Sequence, residues 1–136
     1  MKLKLNIDSQ GSRVYRLPNG RKHREDGPAV LTYDGVEFWF LNGKLHRKGN
    51  PAIIAPYNGN REWWLRYKRH RKKLSSYENN YAHKEWWING KLHREDGPAI
   101  EYYNENFDMH WYLDGEEYTE QEYKKKIRLI KIDKIL

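Results

Sequence analysis

Cysteine is absent from the 136 residues of the chain. This absence excludes a disulfide framework and a thiolate zinc site, so a domain of this size must be held together by packing alone. The simplest compartment for such a chain is a reducing one. We therefore expect a cytoplasmic protein.

Long apolar runs are missing as well, since 38% of the residues are hydrophobic and 33% are charged. No window approaches the roughly 20 apolar residues of a membrane-spanning helix, and the amino-terminal residues lack an apolar stretch of signal-peptide length. We expect a soluble, non-secreted chain without a membrane span. The 6 Trp, 11 Tyr and 3 Phe residues can supply a core, and the length suits one domain.

The positive charge is concentrated in one segment. The formal net charge is +7, and residues 61–74 contain seven Lys or Arg residues and one Glu. The other 122 residues carry 19 basic and 18 acidic groups, so most of the chain is nearly neutral. Nucleic-acid or anionic-membrane binding through this segment would depend steeply on salt concentration. We rank it third among the functions considered, because a single cluster of this size gives modest affinity.

A motif made of an aromatic trio, a turn and a His-Arg pair recurs four times. The trios are Trp39-Phe40-Leu41, Trp63-Trp64-Leu65, Trp86-Trp87-Ile88 and Trp111-Tyr112-Leu113. The turns are Asn42-Gly43, Arg66-Tyr67, Asn89-Gly90 and Asp114-Gly115, with Asn19-Gly20 before the first, at offsets of 23, 24, 23 and 25. The pairs are His23-Arg24, His46-Arg47, His70-Arg71 and His93-Arg94. This self-similarity predicts a repeat architecture with units 19–41, 42–65, 66–88 and 89–113.

Asn-Gly and Asp-Gly between short aromatic and β-branched runs predict hairpins with type I′ turns. We expect two strands in each unit: Pro28–Tyr33 and Val36–Leu41 in the first, Pro98–Tyr103 and Met109–Leu113 in the fourth. The predicted fold is all-β. It is a meander of stacked β-hairpins that form an elongated twisted antiparallel sheet, in a single repeat domain over residues 1–136.

Residues 114–136 are expected to cap the open end of the sheet, as the terminal units of repeat proteins generally do. Thr119-Glu120-Gln121-Glu122 fits a capping box, and Tyr123, Ile127 and Ile130 recur at helical spacing. The pattern predicts a short helix from about residue 120. It leaves open whether Ile132–Leu136 continues this helix or forms a strand.

The unit length, the W-x-x-N-G core and the segment G-x-x-H-R-x-D-G-P-A resemble the MORN-like repeat variants of bacteriophage and giant-virus proteins. The resemblance covers 95 of the 136 residues. It implies that the units serve as binding and assembly modules. It also implies a viral protein of bacteriophage origin, which would act in the cytoplasm of the host cell.

Alternation along a strand places neighbouring residues on opposite faces. We expect one face to form the core, with a seam of Trp39, Trp63, Trp86, Trp111, Leu41, Leu65, Ile88 and Leu113. The other face carries Phe40, Trp64, Trp87 and Tyr112, with Phe38, Glu62, Glu85 and His110 two positions earlier. This second row is either covered by loops and the tail helix or open as a platform on which a base stacks.

The His-Arg pairs are interpreted as structural. We expect each histidine ring to bond a carbonyl in its turn, and each arginine to pair with the aspartate of the HREDG segments at 23–27 and 93–97. Histidines about 10 Å apart, two strand spacings, are too widely separated to share a metal ion. The sequence also lacks a nucleophile elbow, a phosphate-binding glycine loop and a cysteine nucleophile. We therefore expect no enzymatic activity, no metal and no cofactor.

The third unit departs most from the others and is the candidate binding site. Its turn is Arg66-Tyr67, and Lys72-Lys73 replace the acidic part of the loop. We expect its cations to lack the usual aspartate partner and to bind an anion beside the tryptophans. The candidate ligand-binding residues are Trp64, Arg66, Tyr67, Lys68, Arg69, His70, Arg71, Lys72, Lys73 and Trp87.

Two functions fit this pattern best. The first is capture of an anionic ligand, a nucleotide-type molecule of host defence signalling, by aromatic stacking and Arg/Lys phosphate contacts. The second is a protein-interaction module that inhibits or scaffolds a host or virion protein by docking. Unpaired edge strands would also let copies of the chain associate as a homo-oligomer. The sequence favours capture, because aromatic rings and unmatched cations coincide in the third unit.

Overall fold

The computed structural model describes residues 2–66, 68–71, 75–79, 83–103 and 105–136. In chain order its elements are β1 (Lys4–Ile7), β2 (Arg13–Arg16), β3 (Val30–Leu31), β4 (Glu37–Phe38), β5 (Phe40–Leu41), β6 (Lys44–Leu45), β7 (Ile53–Ala55), β8 (Asn60–Glu62), β9 (Trp64–Leu65), β10 (Lys68–Arg69), β11 (Tyr77–Glu78), β12 (His83–Glu85), β13 (Trp87–Ile88), β14 (Lys91–Leu92), β15 (Ile100–Tyr102), β16 (Met109–Leu113), β17 (Glu116–Tyr118) and α1 (Glu120–Ile135). Eleven described strands form one antiparallel sheet, in the order β1-β2-β3-β4-β7-β8-β11-β12-β15-β16-β17. The other six form the ladders β5–β6, β9–β10 and β13–β14. The predicted all-β hairpin meander with one carboxy-terminal helix is confirmed.

The expectation of two strands in each unit is wrong. In the first three units the chain leaves the main sheet at the first tryptophan of the trio, which is Trp39, Trp63 or Trp86. The predicted strand Val36–Leu41 is divided into β4 and β5. The Trp39 N–H donates to the Ala52 carbonyl of the next hairpin (2.8 Å), whereas the Trp39 carbonyl accepts from the His46 N–H (3.0 Å). The two sides of one residue therefore bond different partners, and the chain passes from the main sheet into a side ladder. In the fourth unit Met109–Leu113 is one continuous strand, as predicted.

Three of the predicted turns, Asn42-Gly43, Asn89-Gly90 and Asp114-Gly115, have positive φ at both central residues, whereas at Asn19-Gly20 and Asp34-Gly35 the glycine alone has positive φ, so the predicted type I′ turn is wrong there. A type I′ turn requires positive φ at both central residues, and Asn42 and Gly43 have φ of 50° and 78°. Arg66 adopts the same conformation, with φ of 51°, although it is neither glycine nor asparagine. Its partner in that turn, Tyr67, lies outside the described residues.

A partial unit, missed in the sequence, precedes the first predicted one. The Tyr15 N–H donates to the Ala29 carbonyl (2.8 Å) and the Tyr15 carbonyl accepts from the His23 N–H (3.1 Å). These are the bonds that Trp39 makes in the next unit. Tyr15 therefore occupies the tryptophan position of the repeat, and the hairpin β1–β2 leads directly into it.

The predicted core seam is only partly buried. Of its eight members Trp63 and Leu113 are buried and the other six are half-buried. The reason is that an arginine from the next unit, and not a second apolar layer, covers the first tryptophan of the trio in each of the first three units. The guanidinium carbons of Arg47, Arg71 and Arg94 lie 3.6, 3.8 and 3.8 Å from the centroids of Trp39, Trp63 and Trp86, respectively. Among the described residues, those without exposed surface are small, namely Ala29, Ala52, Ser76 and Ala99.

The helix α1 begins at the predicted position. Thr119 Oγ1 accepts a hydrogen bond from the Glu122 N–H (3.3 Å), and the Glu122 carboxylate accepts one from the Thr119 N–H (3.0 Å), which completes the capping box. Residues 132–135 continue the helix. The helix packs on Leu113 through Tyr123 and Ile127. Within the described ranges, none of the helical segments is both long and apolar enough to cross a membrane.

Candidate functional site

The histidines of the His-Arg pairs join successive units. Each Nδ1 atom accepts a hydrogen bond from the first backbone N–H of the next turn, with donor and acceptor 3.0–3.1 Å apart; the pairs are Asn42 to His23, Arg66 to His46, Asn89 to His70 and Asp114 to His93. The expected bond from ring to carbonyl is therefore wrong. The left-handed turn leaves its first N–H without a partner inside the hairpin, and the imidazole of the preceding unit satisfies it.

The arginines of the pairs support the loops, as predicted. Arg24 Nε lies 2.9 Å from Asp26, and Arg94 Nε lies 2.8 Å from Asp96. Burial lowers the pKa of Arg94, but its hydrogen bonds to Asp96 and Glu101 outweigh that effect and raise it. Among the described residues, no group of three His, Asp or Glu side chains is arranged to hold a metal ion.

The predicted ligand-binding residues do not form one site. Seven of the ten are described, and Tyr67, Lys72 and Lys73 lie outside the described residues. Trp64, Lys68, Arg69 and Trp87 line a cleft of about 430 Å³ together with Asn89, Gly90 and Lys91. Arg66 and Lys68 line a second cleft, of about 530 Å³, with His46 and Asn89. Arg71 lines a third cleft, of about 610 Å³, with Trp86, His93 and Asp96. His70 is engaged by the next turn.

The first of these clefts, which we call the tryptophan cleft, has walls that are held by hydrogen bonds. The indole N–H of Trp64 donates to Glu62 (2.9 Å), and that of Trp87 donates to Glu85 (2.6 Å). Both rings are half-buried. The guanidinium of Arg69 lies between them, 5.5 Å from the Trp64 centroid and 5.3 Å from the Trp87 centroid. The ring orientations are therefore set by carboxylates behind the cleft.

The expectation that the third-unit cations are unpaired because the loop aspartate is missing is wrong for Arg69. Its guanidinium lies 3.0 Å from Glu62 and 3.0 Å from Glu85, whose side chains are 11% and 14% exposed, respectively. The loop of the third unit lacks the aspartate of the HREDG segments. The partners come instead from β8 and β12, which the meander places beside β10.

Arg71 has a different environment. Its guanidinium covers Trp63 and donates to the Ser75 carbonyl (2.9 Å). Within the described part of the chain no carboxylate forms an ion pair with Arg71. Burial lowers the pKa of Arg71, and the charge of Glu78 opposes this shift more weakly. The positive charge of Arg71 is therefore less compensated than that of Arg94.

Two features beside the tryptophan cleft were missed in the sequence. Lys91 lines it at the repeat position that Lys68 occupies one unit earlier, so the period could have identified it. A row of rings also crosses the main sheet: the centroids of Tyr77 and His83 lie 5.0 Å apart, and those of His83 and Tyr102 lie 4.2 Å apart. Burial lowers the pKa of His83, although Glu85, 3.0 Å away, opposes the shift.

No protein-family model, curated protein or solved structure matches this chain.

Proposed function

We propose that this chain is a non-catalytic binding protein that captures an anionic ligand with a flat ring, of the nucleotide class, in the tryptophan cleft. One observation carries the proposal: among the described residues, the charged side chains that line this cleft are Lys68, Arg69 and Lys91, and its apolar walls are Trp64 and Trp87. Every base offers a face for stacking on an indole, and such stacking contributes about 1–3 kcal/mol per base.

The roles of the cations within this proposal differ. Arg69 is held by two carboxylates, so it orders the indole rings and contributes little charge to a ligand. Lys68 and Lys91 are exposed at the rim, and the Lys68 stem packs against Gly90, with carbons 3.4–3.5 Å from the position that a Cβ would occupy. Their ammonium groups are the natural contacts for a phosphate, which binds cations through charge-assisted hydrogen bonds.

The proposal extends to the family, the origin and the location of the protein. The regular bonds between units support the assignment as a MORN-like repeat protein. A bacteriophage origin and action in the host cytoplasm accord with that resemblance. Capture of a defence-signalling nucleotide requires no catalytic group. The bonds from the turn N–H groups to the histidine Nδ1 atoms, such as that from Asn42 to His23, recur at intervals of 23 to 25 residues and are the structural support for the repeat assignment.

The experiment is a thermal-shift screen of the whole chain against cyclic and linear nucleotides at low and moderate salt. A ligand at about 100 times its Kd stabilises the folded state by about 2.7 kcal/mol, which raises Tm by several degrees. We expect a selective rise that is lost in Trp64→Leu, Trp87→Leu and Lys91→Ala. Phe40→Leu is the matched control, because Phe40 holds the same repeat position two units from Trp87.

The screen also separates capture from docking on a protein. If no nucleotide raises Tm, or if Phe40→Leu abolishes the rise as fully as Trp87→Leu does, capture in the tryptophan cleft is wrong. The protein-interaction module then becomes the leading proposal.

A further inference from the structure

The first strand, β1, forms one edge of the main sheet. It pairs with β2 alone, with Leu5 opposite Tyr15 and Ile7 opposite Arg13. All four of its residues are exposed, including Leu5 at 44% and Ile7 at 61%. An exposed edge with apolar side chains is a template for another strand unless the fold blocks it.

The hydrogen-bond pattern shows which backbone groups are available for pairing. The Asp8 N–H donates to the Ser12 carbonyl (3.1 Å). Because hydrogen-bonded positions alternate along an antiparallel strand, the backbone N–H and C=O groups of Lys4, Asn6 and Asp8 point toward β2. The N–H and C=O groups of Leu5 and Ile7 therefore point away from the sheet. In the described residues no backbone partner for these outward groups is present.

We propose that β1 pairs with β1 of a second copy of this chain, antiparallel, with Asn6 of each copy opposite Asn6 of the other. In this register Leu5 lies opposite Ile7 of the second copy, and their outward N–H and C=O groups form a hydrogen-bonded pair. Lys4 lies opposite Asp8 of the second copy, which joins opposite charges. A register shifted by four positions would instead set Lys4 opposite Lys4, which is unfavourable.

The geometry also limits the assembly to two copies. A two-fold axis through Asn6 uses the same edge of both copies, so the interface is isologous and closed. The other end of the sheet, β16–β17, carries the packed helix α1. Because a pairing of four-residue strands buries little surface, the dimer is expected to be weak and dependent on concentration.

A cysteine placed at residue 6 tests the register directly, since the chain has no other cysteine and any disulfide must join two copies. The two residue-6 Cα atoms would lie about 4.5 Å apart, within the range for a disulfide. The matched control is Lys4→Cys, whose two copies would be separated by about 13 Å along the strand. We expect Asn6→Cys to cross-link at least tenfold faster than Lys4→Cys under mild oxidation.

The mass measured by light scattering gives the second readout. We expect the average mass of the wild type to rise above 16.6 kDa with concentration. Leu5→Pro, which removes an outward N–H but no bond to β2, should stay monomeric, and Leu5→Val should still dimerise. Equal cross-linking rates for the two cysteine variants, or a monomer mass at every concentration, would overturn the proposal. Neither readout involves the tryptophan cleft.

Discussion

Tyr123 of α1 lies against Trp111, with the ring centroids 4.7 Å apart. In the earlier units the aromatic ring at this repeat position is covered by an arginine of the following unit, as Trp86 is by Arg94. Tyr123 takes the place of that arginine. Its hydroxyl also donates to the Arg94 carbonyl (2.7 Å) and accepts from the Gly97 N–H (3.2 Å). The helix therefore completes the fourth unit with one side chain.

Removing this contact should destabilise the whole chain. Tyr123 is 3% exposed, so Tyr123→Ala should lower the free energy of unfolding by about 3–5 kcal/mol, as for other buried aromatic side chains. Tyr123→Phe keeps the ring and loses the two hydrogen bonds, at a cost of about 1–2 kcal/mol. Urea unfolding followed by tryptophan fluorescence measures both. Equal losses would mean that the ring contributes nothing beyond its hydroxyl.

Ser76 stands where the other units have a buried alanine, and it has no exposed surface. Its hydroxyl accepts from the Trp87 N–H (2.7 Å). Ser76→Ala makes the third unit more regular, yet it leaves a backbone N–H without a partner, so we expect a loss of about 1–3 kcal/mol. Hydrogen exchange at the Trp87 amide should accelerate. Unchanged or increased stability would show that water replaces the hydroxyl.

The repeat was readable from the sequence because its signals are local. The dipeptide Asn42-Gly43 sets a left-handed turn through its own backbone preference, and the capping box from Thr119 to Glu122 is satisfied within four residues. Such features depend on neighbours in the chain. The hairpin meander follows when the turn dipeptides recur every 23 to 25 residues.

The rest of the structure depends on partners from other units. The crossing of the chain at Trp39 results from bonds to Ala52 on one side and His46 on the other. The carboxylate pair around Arg69 comes from two different hairpins. The partial unit at Tyr15 was missed because tyrosine replaces the tryptophan and Pro18 lengthens the segment before its turn. The candidate site differs from the predicted one for the same reason. The meander places Lys91 in the tryptophan cleft and Arg71 in another cleft.

A contact between α1 and the fourth unit should depend on pH. The Lys134 ammonium, 2.6 Å from the Glu95 carboxylate, lowers the pKa of Glu95, against burial, which raises it. A carboxyl group whose folded pKa is lowered stabilises the fold above its unfolded value, 4.5, and this contribution is lost as pH falls through the folded pKa. Lys134→Met should therefore cost stability at pH 7, by less than about 1 kcal/mol because both groups are exposed.

The measurement for this pair is urea unfolding at several pH values between neutral and acid. The difference between wild type and Lys134→Met should shrink as the pH falls below 4.5. Lys131→Met, an exposed substitution one turn earlier on α1, is the control and should match the wild type throughout. A difference that grew in acid would contradict the assignment.

Arg69 should be the most sensitive charged residue of the third unit. The equivalent residues Leu45 and Leu92 show that the backbone accepts leucine here. Arg69→Leu nevertheless leaves the carboxylates of Glu62 and Glu85 buried without a cation, so we expect a loss of about 2–4 kcal/mol. The matched control is Arg61→Leu, because the Arg61 side chain is 56% exposed and lies 3.7 Å from Glu78. That surface pair should contribute less than about 1 kcal/mol.

A rescue experiment distinguishes charge from packing at this site. Adding Glu62→Gln and Glu85→Gln to Arg69→Leu removes the uncompensated charges while the amide oxygens can still accept from the indole N–H groups of Trp64 and Trp87. Stability should then recover in part. If the triple variant is no more stable than Arg69→Leu, packing of the guanidinium between the two rings, and not neutralisation of the carboxylates, is the main contribution of Arg69.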